Sequence, residues 1–235
     1  MISIIIPVRY RPDLTRVCLD SIKLYTKDYE IIAVQEGDDE EIKTLLKSYN
    51  IKYIQNPTPK GYAGALNTGV GIAEGENFCF MNNDTVATPG WLDEMLLALK
   101  EPEVGLVSPT FWGTGERQSV DWNDGRQFDF VSEVFSLIGV CFLIPRFVVK
   151  HIGKWDETFN HGGEDFDMSL RIYNAGYRLV IARKSFIYHY GGASTRIYIG
   201  TDLPTVLKHH LNAVDQLIKK HNLDAKDVYE RLKIK

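Results

Sequence analysis

Apolar residues fall along this chain in short β-branched runs separated by stretches with helical spacing. Ile2–Val8 is such a run, and from Asp13 the apolar positions Leu14, Val17, Cys18, Ile22 and Tyr25 follow one helix face, so strand then helix is predicted. Residues 30–35 repeat the strand signature, 39–49 are amphipathic through Ile42, Leu45 and Leu46, and 51–54 read as a third strand. The segment 61–74 keeps a helical pattern through Ala65, Leu66, Val70 and Ala73. It leads into Asn77–Met81, a strand that ends in Asn82-Asn83-Asp84-Thr85. Alternation of this kind predicts an α/β protein with a Rossmann-like, mostly parallel central sheet flanked by helices. Ligands of such sheets bind off the carboxyl ends of the strands, so polar clusters just after strands are the places to look.

The second half is less regular. A helix is predicted over 89–100 and a strand over 105–109, whereas 111–136 has no clean period and reads as a loop or insert given over to a partner molecule. Residues 137–144 read as a buried strand, 146–151 as a short helix, 166–174 as a helix ended by Gly176, and 178–181 and 186–189 as two strands. A terminal helix from Thr205 carries Leu207, Leu211, Val214, Leu217 and Ile218 on one face.

The 235 residues suit one domain over 1–235, and 44% hydrophobic with 25% charged residues is the composition of a folded chain with a real core. Lys and Arg number 27 against 31 Asp and Glu, a net charge of −4, which gives no general attraction to nucleic acid. Cys18, Cys79 and Cys141 are odd in number and each set in an apolar run, so they read as buried thiols of a reducing compartment. The first residues lack a basic n-region, and the apolar run 137–145 is shorter than the roughly 18 residues a membrane span needs, so a cytoplasmic protein is expected. Residues 205–235 carry seven basic and four acidic side chains, a balance compatible with peripheral contact at an anionic membrane face, or simply with a solvated helix surface.

Three clusters can carry chemistry. Asn82-Asn83-Asp84 follows an apolar strand, where a carboxylate beside carboxamides can seat a divalent cation shared with phosphate oxygens, or simply make a turn. Glu164, Asp165 and Asp167 crowd three carboxylates into a first helical turn, with Asp165 a candidate cap. Crowding raises at least one pKa, as a general base requires, while the helix dipole lowers it. His189 closes the last strand before Gly191-Gly192, and an imidazole added to oxygen ligands shifts preference from Mg²⁺ to Mn²⁺. His209, His210 and His221 are expected to face solvent. The glycine-rich stretch 60–71 lacks the dinucleotide fingerprint, since the third glycine position is Glu74. It leaves a flexible basic turn led by Lys60 that can meet a phosphate.

In order along the chain, the segments Ile2-Ser3-Ile4-Ile5-Ile6-Pro7-Val8, Cys18-Leu19-Asp20-Ser21-Ile22, 30–37, 61–69, Phe80-Met81-Asn82-Asn83-Asp84, Pro89-Gly90-Trp91-Leu92, Gly163-Glu164-Asp165-Phe166-Asp167 and His189 resemble a family 2 glycosyltransferase of the GT-A fold, with Asn-Asn-Asp similar to rhamnosyltransferase-like members. The resemblance implies a nucleotide-sugar-binding half over 1–110, an acceptor-binding and catalytic half over 111–204, and a carboxy-terminal helical segment over 205–235. It implies a dTDP- or UDP-sugar donor held by Pro7, Val8, Arg9, Glu36, Lys60, Gly61, Asn67, Asn82, Asn83 and Arg196, with Glu36 accepting the pyrimidine N3 hydrogen. Asp84 and His189 would bind Mn²⁺ or Mg²⁺, and Asp165 with Glu164 would be catalytic. The implied reaction is inverting transfer to a carbohydrate or lipid-linked acceptor in surface polysaccharide synthesis, with segment 190–200 a candidate lid. Gln35 and Asn82 depart from the family pattern, each standing where an acid is common. A nucleotidyltransferase, or a nucleotide-sugar-binding module without catalysis, are the competing readings.

Overall fold

In the first half, each segment with a clean period becomes the element it predicts. The computed structural model describes residues 1–112, 131–134, 137–159, 162–191, 203–226 and 228. Its first half is β1 (Ile2–Val8), α1 (Pro12–Tyr25), β2 (Tyr29–Glu36), α2 (Glu40–Lys47), β3 (Lys52–Asn56), α3 (Gly61–Ile72) and β4 (Asn77–Met81). Pro12 opens α1, where its fixed φ suits the first turn and its missing N–H costs nothing. Asp39 caps α2 by accepting from the backbone N–H of Glu41 and Ile42. The strands pair in parallel, β1 with β2 and β4, and β2 with β3.

Then follow β5 (Thr85–Ala87), α4 (Trp91–Ala98), β6 (Val104–Trp112), β7 (Val131–Val134), β8 (Cys141–Pro145), α5 (Arg146–Ile152), α6 (Glu164–Asn174), β9 (Arg178–His189) and α7 (Leu203–His221). Among the described residues these make one nine-stranded mixed sheet in the order β3-β2-β1-β4-β8-β6-β9-β5, with β7 on β9. Antiparallel β8 lies between β4 and β6, and β5 and β7 share the outer edge of β9.

The two strands expected over 178–181 and 186–189 are one. A register shift against β6 between Pro109 and Thr110 absorbs the extra residues on β9, and the polar Arg183-Lys184 at that bulge reads as a break in the sequence. The stretch from 111 is not wholly irregular, because β6 runs to Trp112 and Val131–Val134 form β7; residues 113–130 and 135–136 lie outside the described residues. Residues 137–140 form a turn rather than strand, closed by a Val140 N–H to Ile138 carbonyl bond of 2.8 Å, so β8 begins only at Cys141.

Both faces of the sheet are covered, which is why β1 reads as a continuous apolar run instead of an alternation. Ile4 and Ile6 pack with Cys18, Leu19 and Ile22 of α1 and Trp91 of α4 on one face. Ile5 and Ile32 pack with Leu66 of α3, Phe80, Phe142 and Met168 of α6 on the other. The glycines of α3 serve this packing: a Cβ at Gly69 would collide with Ile5 Cγ2, so the helix sits closer to β1 than any other residue allows. All three cysteines are buried and free. Burial pushes the Cys18 thiol up to about 12, so it is an inert core residue, as its apolar setting implied.

The terminal helix α7 is not docked by apolar contact alone. The wholly buried Asp167 of α6 accepts from Lys220 Nζ at 2.6 Å, His221 Nε2 at 2.8 Å and Arg171 Nε at 2.9 Å. His221 therefore faces α6 and not solvent; the expectation fails because its partner lies 54 residues away in sequence. The side chains of His209 and His210 lie outside the described residues. Among the described residues, no helix is long and apolar enough to cross a membrane.

Candidate active site

β4 carries Asn82-Asn83-Asp84 to the carboxyl edge of the parallel strands, where the topology places a ligand. The Asn82 N–H donates to Val140 O at 3.0 Å, tying it to the turn before β8. Asn83 is buried, and its amide donates to Tyr10 O at 2.9 Å and Thr15 Oγ1 at 2.8 Å. It braces the loop between β1 and α1. Asp84, 5% exposed, accepts from the Tyr190 N–H at 3.0 Å through its carbonyl, and the next residue, Thr85, pairs with His189 across β5 and β9. His189 Nε2 thereby lies 3.3 Å from Asp84 Oδ1, with the Phe111 ring edge-on to the imidazole.

The acidic helix start approaches from the other side. Gly162 and Gly163 both hold positive φ, at 98° and 91°, a turn that side chains rarely adopt, and Gly163 takes the cap position. Asp165 is therefore not the cap. Its Oδ2 accepts from the Gly139 N–H at 2.9 Å and its Oδ1 from the Phe166 N–H at 2.8 Å. Glu164 beside it is pushed up to about 7 by burial and by the negative charge of Asp165, and its Oε2 is buried without a hydrogen bond. The question of sign is answered for Glu164: desolvation and crowding prevail over the helix dipole.

Tyr62 of α3 joins the two sides. Its hydroxyl donates to Gly139 O at 3.1 Å, and Gly139 in turn holds Asp165. Burial raises the Tyr62 phenol well above its ordinary value, and the charges of Glu164, Asp165 and Asp84 add to the rise. Acids some 80 residues apart in sequence thus act on one hydroxyl. Buried polar atoms nearly always find partners. Yet Asn82 Oδ1, Glu164 Oε2 and both ring nitrogens of His189 are buried and make no hydrogen bond among the described residues. Other such atoms lie elsewhere, on Glu30, Glu94, Trp155 and Arg171, and His189 Nε2 keeps the Asp84 carboxylate at 3.3 Å, so it is the convergence of these three side chains with Asp84 and Asp165 around Tyr62 and Gly139 that makes this rim the candidate site.

The residue type and spacing also fit a cation. One carboxylate and one imidazole within 3.3 Å of each other supply oxygen and nitrogen donors, and the imidazole is without a protein hydrogen bond. Among the described residues no group of three or more His, Cys, Asp or Glu converges, so Asp84 and His189 are the residues that would hold a cation here.

Several expected contacts fall elsewhere. Val8 is fully buried in the core, which leaves only half-buried Pro7 at the end of β1 to meet a nucleoside. The Glu36 carboxylate is engaged by the protein itself: Oε2 accepts from the N–H of Lys60 and Gly61 at 2.6 and 2.9 Å, and Oε1 from Asn56 Nδ2 at 2.6 Å. A carboxylate on the start of α3 satisfies the amides that a phosphate would have used. The turn at Lys60 is thus occupied by Glu36, though the Lys60 side chain is exposed. Asn67 is held by the chain itself, donating to Trp155 O and Glu157 Oε1 and accepting from the Trp155 N–H. Arg9 is half-buried with its guanidinium over the Tyr10 ring. Arg196 and the candidate lid beyond Gly191 lie outside the described residues. Two residues escaped the sequence reading. Tyr62 stood inside a glycine-rich segment whose glycines drew the attention. Arg11, held in the left-handed region at φ 62°, chelates Asp13 and feels the charge of Asp84.

A model of the family described as Glycosyl transferase family 2 matches residues 3–162, more than half of the chain. The chain belongs to glycosyl transferase family 2. The O-antigen biosynthesis protein RfbC of Myxococcus xanthus is 28% identical over 224 residues, covering 83% of this chain and 18% of that protein. A pre-mycofactocin glycosyltransferase of Mycobacterium tuberculosis is 24% identical over 230 residues, covering 88% of this chain and 48% of that one. The chain thus spans less than half the length of these curated relatives. The mannosyltransferase PcManGT from Pyrobaculum calidifontis, solved with GDP-Man and Mn²⁺, superposes with a TM-score of 0.69 at 16% identity over 93% of this chain and 64% of that one. GalNAc-T7, solved with UDP, GalNAc and Mn²⁺, gives 0.69 at 18% identity over 80% of this chain and 43% of that one. The fold is GT-A.

Proposed function

We propose that this transferase moves a sugar, with inversion, from a dTDP- or UDP-sugar to an acceptor hydroxyl on a saccharide or lipid-linked saccharide, in surface polysaccharide synthesis. The observation that carries the reading is the set of unsatisfied buried polar atoms of Asn82, Glu164 and His189 on one rim. In this reading Asp84 and His189 would hold Mn²⁺ or Mg²⁺, and the cation, when bound, would supply positive charge against the diphosphate leaving group. Arg11, and Lys60 from the start of α3, add to that field. Pro7 and Arg9 line the nucleoside side, and Asn82 offers its free Oδ1 to the donor.

The Glu164–Asp165 pair takes the proton. Asp165, oriented by the Gly139 and Phe166 amides, accepts it from the acceptor hydroxyl as that oxygen attacks the anomeric carbon from the face opposite the diphosphate. The bond to the diphosphate oxygen breaks as the new glycosidic bond forms, so no covalent enzyme intermediate arises. Glu164, ionising near neutral pH, sets how much negative charge surrounds that proton. The Asn-Asn-Asp sequence is compatible with a rhamnosyltransferase-like dTDP-deoxyhexose donor and equally with a UDP-sugar, and the match to 18% of RfbC supports O-antigen chemistry.

A thermal-shift panel of dTDP-, UDP- and GDP-sugars with Mn²⁺ tests the donor. Stabilisation by a dTDP- or UDP-sugar that needs the cation is expected; stabilisation by a nucleoside triphosphate alone would favour a nucleotidyltransferase instead.

A further inference from the structure

A buried carboxylate ringed by cations often docks a helix no more firmly than an apolar seam of the same size, so its presence asks for another reason. Asp167 is such a carboxylate. It stands in the first turn of α6, two residues on from Asp165, and is wholly buried. Its Oδ1 accepts from Lys220 and His221 of α7, and its Oδ2 from Arg171. Directed bonds of this kind fix the rotation of a helix turn as well as its distance.

Lys220 reaches beyond α6. Its Nζ lies 2.6 Å from Asp156 Oδ2 and 5.3 Å from the centre of the Phe159 ring. Burial alone would raise the Asp156 carboxyl, but Lys220 and the N–H and hydroxyl of Thr158 hold it at about 2. Gln216, one turn earlier on α7, donates to Thr158 Oγ1 at 3.0 Å. A Cβ on Gly163 would come within 3.1 Å of Phe159 and 3.3 Å of Ala213 of α7. The chain at 156–159 and α7 therefore close together on the Gly162-Gly163 turn from which Glu164 and Asp165 project. On its other side the same helix turn meets residues 137–140. The Leu137 N–H donates to Ser169 Oγ, which itself donates to Asp165 O, and the Gly139 N–H donates to Asp165 Oδ2 at 2.9 Å. A shift of the turn by about 1 Å would carry that last bond out of range.

We infer that Lys220 is a positioning residue: by clamping Asp156 and Asp167 together it holds the first turn of α6 where the Asp165 carboxylate meets the Gly139 amide and faces the acceptor oxygen. The inference rests on the transferase reading above and deepens it, because it makes α7 part of the catalytic apparatus without placing any of its side chains on the substrate. His221 shares the Asp167 end of the clamp, and Lys220 alone spans to Asp156.

The test compares the intact parent chain with Lys220→Met, Lys220→Arg and Asp156→Asn. Amide hydrogen exchange at Gly139 reads the aim of Asp165, while the amides of Ile4 and Ile32 in the sheet core read global stability. In Lys220→Met the Gly139 amide should exchange about tenfold faster than any change at Ile4 and Ile32 accounts for, the scale of one lost charge-assisted bond. Lys220→Arg should restore its protection. Asp156→Asn leaves Asp167 fully paired, so it tests the clamp without threatening the fold, and it should speed exchange at Gly139 by a smaller factor. In parallel, Mn²⁺-dependent release of nucleoside diphosphate from UDP-glucose, dTDP-rhamnose and GDP-mannose is followed with water as the acceptor. Lys220→Met should lower kcat about tenfold or more with the KM for the donor unchanged, and Lys220→Arg should recover it. Exchange at Gly139 that rises only in step with Ile4 and Ile32 overturns the inference, as does an unchanged kcat in Lys220→Met when the parent is active. If the parent releases diphosphate from none of the three donors, the transferase reading fails, while exchange at Gly139 still decides the clamp.

Discussion

Asp165 and Glu164 are neighbours in sequence with different surroundings, and in the proposed mechanism those surroundings would divide their tasks. Asp165 is pinned by two backbone amides, whereas Glu164 has a buried oxygen with no partner. Asp165→Asn should keep donor binding in a thermal-shift assay and lose about 10²-fold or more in turnover. Glu164 gives a pH signature. Its pKa is about 7 in the folded protein against an ordinary 4.5, so the native state binds more protons than the unfolded one between those values. Stability is therefore highest below about 4.5 as far as this group is concerned and falls as pH rises to about 7, by on the order of 3 kcal/mol. Urea titrations across that window should show the fall in the parent and a flatter curve in Glu164→Gln. At this scale the sequence showed the acids and His189, because chemistry-bearing residues at strand and helix ends stand out. Tyr62 and the internal use of Glu36 were not legible, because each depends on partners between about 20 and about 100 residues away, which no local spacing reveals.

α3 shows how a small-residue pattern can be misread at the level of an element. Its glycines suggested a flexible phosphate-binding turn, but Gly69 is the point where the helix presses on β1. Gly69→Ala gains helix propensity yet drives a methyl into Ile5, and a net loss of about 1–2 kcal/mol is expected from chemical denaturation. Gly71→Ala, whose new methyl meets nothing within 4 Å, should gain up to about 1 kcal/mol in the same measurement. α7 depends on Asp167. Replacing this buried carboxylate with Asn leaves Lys220 and Arg171 facing one another without their shared anion, and a loss of about 2 kcal/mol or more should appear as a lower unfolding midpoint. The regular elements were legible because hydrophobic period follows directly from which face is buried. The bulge in β9 and the strand β7 were not, since both are fixed by pairing with distant strands whose own patterns carry no record of it.

The mixed sheet brings together what the chain order keeps apart. β4 supplies Asp84, β9 supplies His189 through its pairing with β5, and the turn before β8 links Asn82 to Asp165 by way of Gly139. The family and the parallel first half were readable from an ordered series of weak segments. That three of these segments share one rim, with unsatisfied polar atoms, required the strand order. The most direct measurement is the rate of nucleoside diphosphate release from a dTDP- or UDP-sugar with Mn²⁺, compared between the parent and Asp84→Asn. A rate that depends on Mn²⁺ in the parent and falls about 10²-fold or more in the variant is the expected result. An equal rate in both proteins would contradict the assembly of Asp84 and the Glu164–Asp165 pair into one catalytic site.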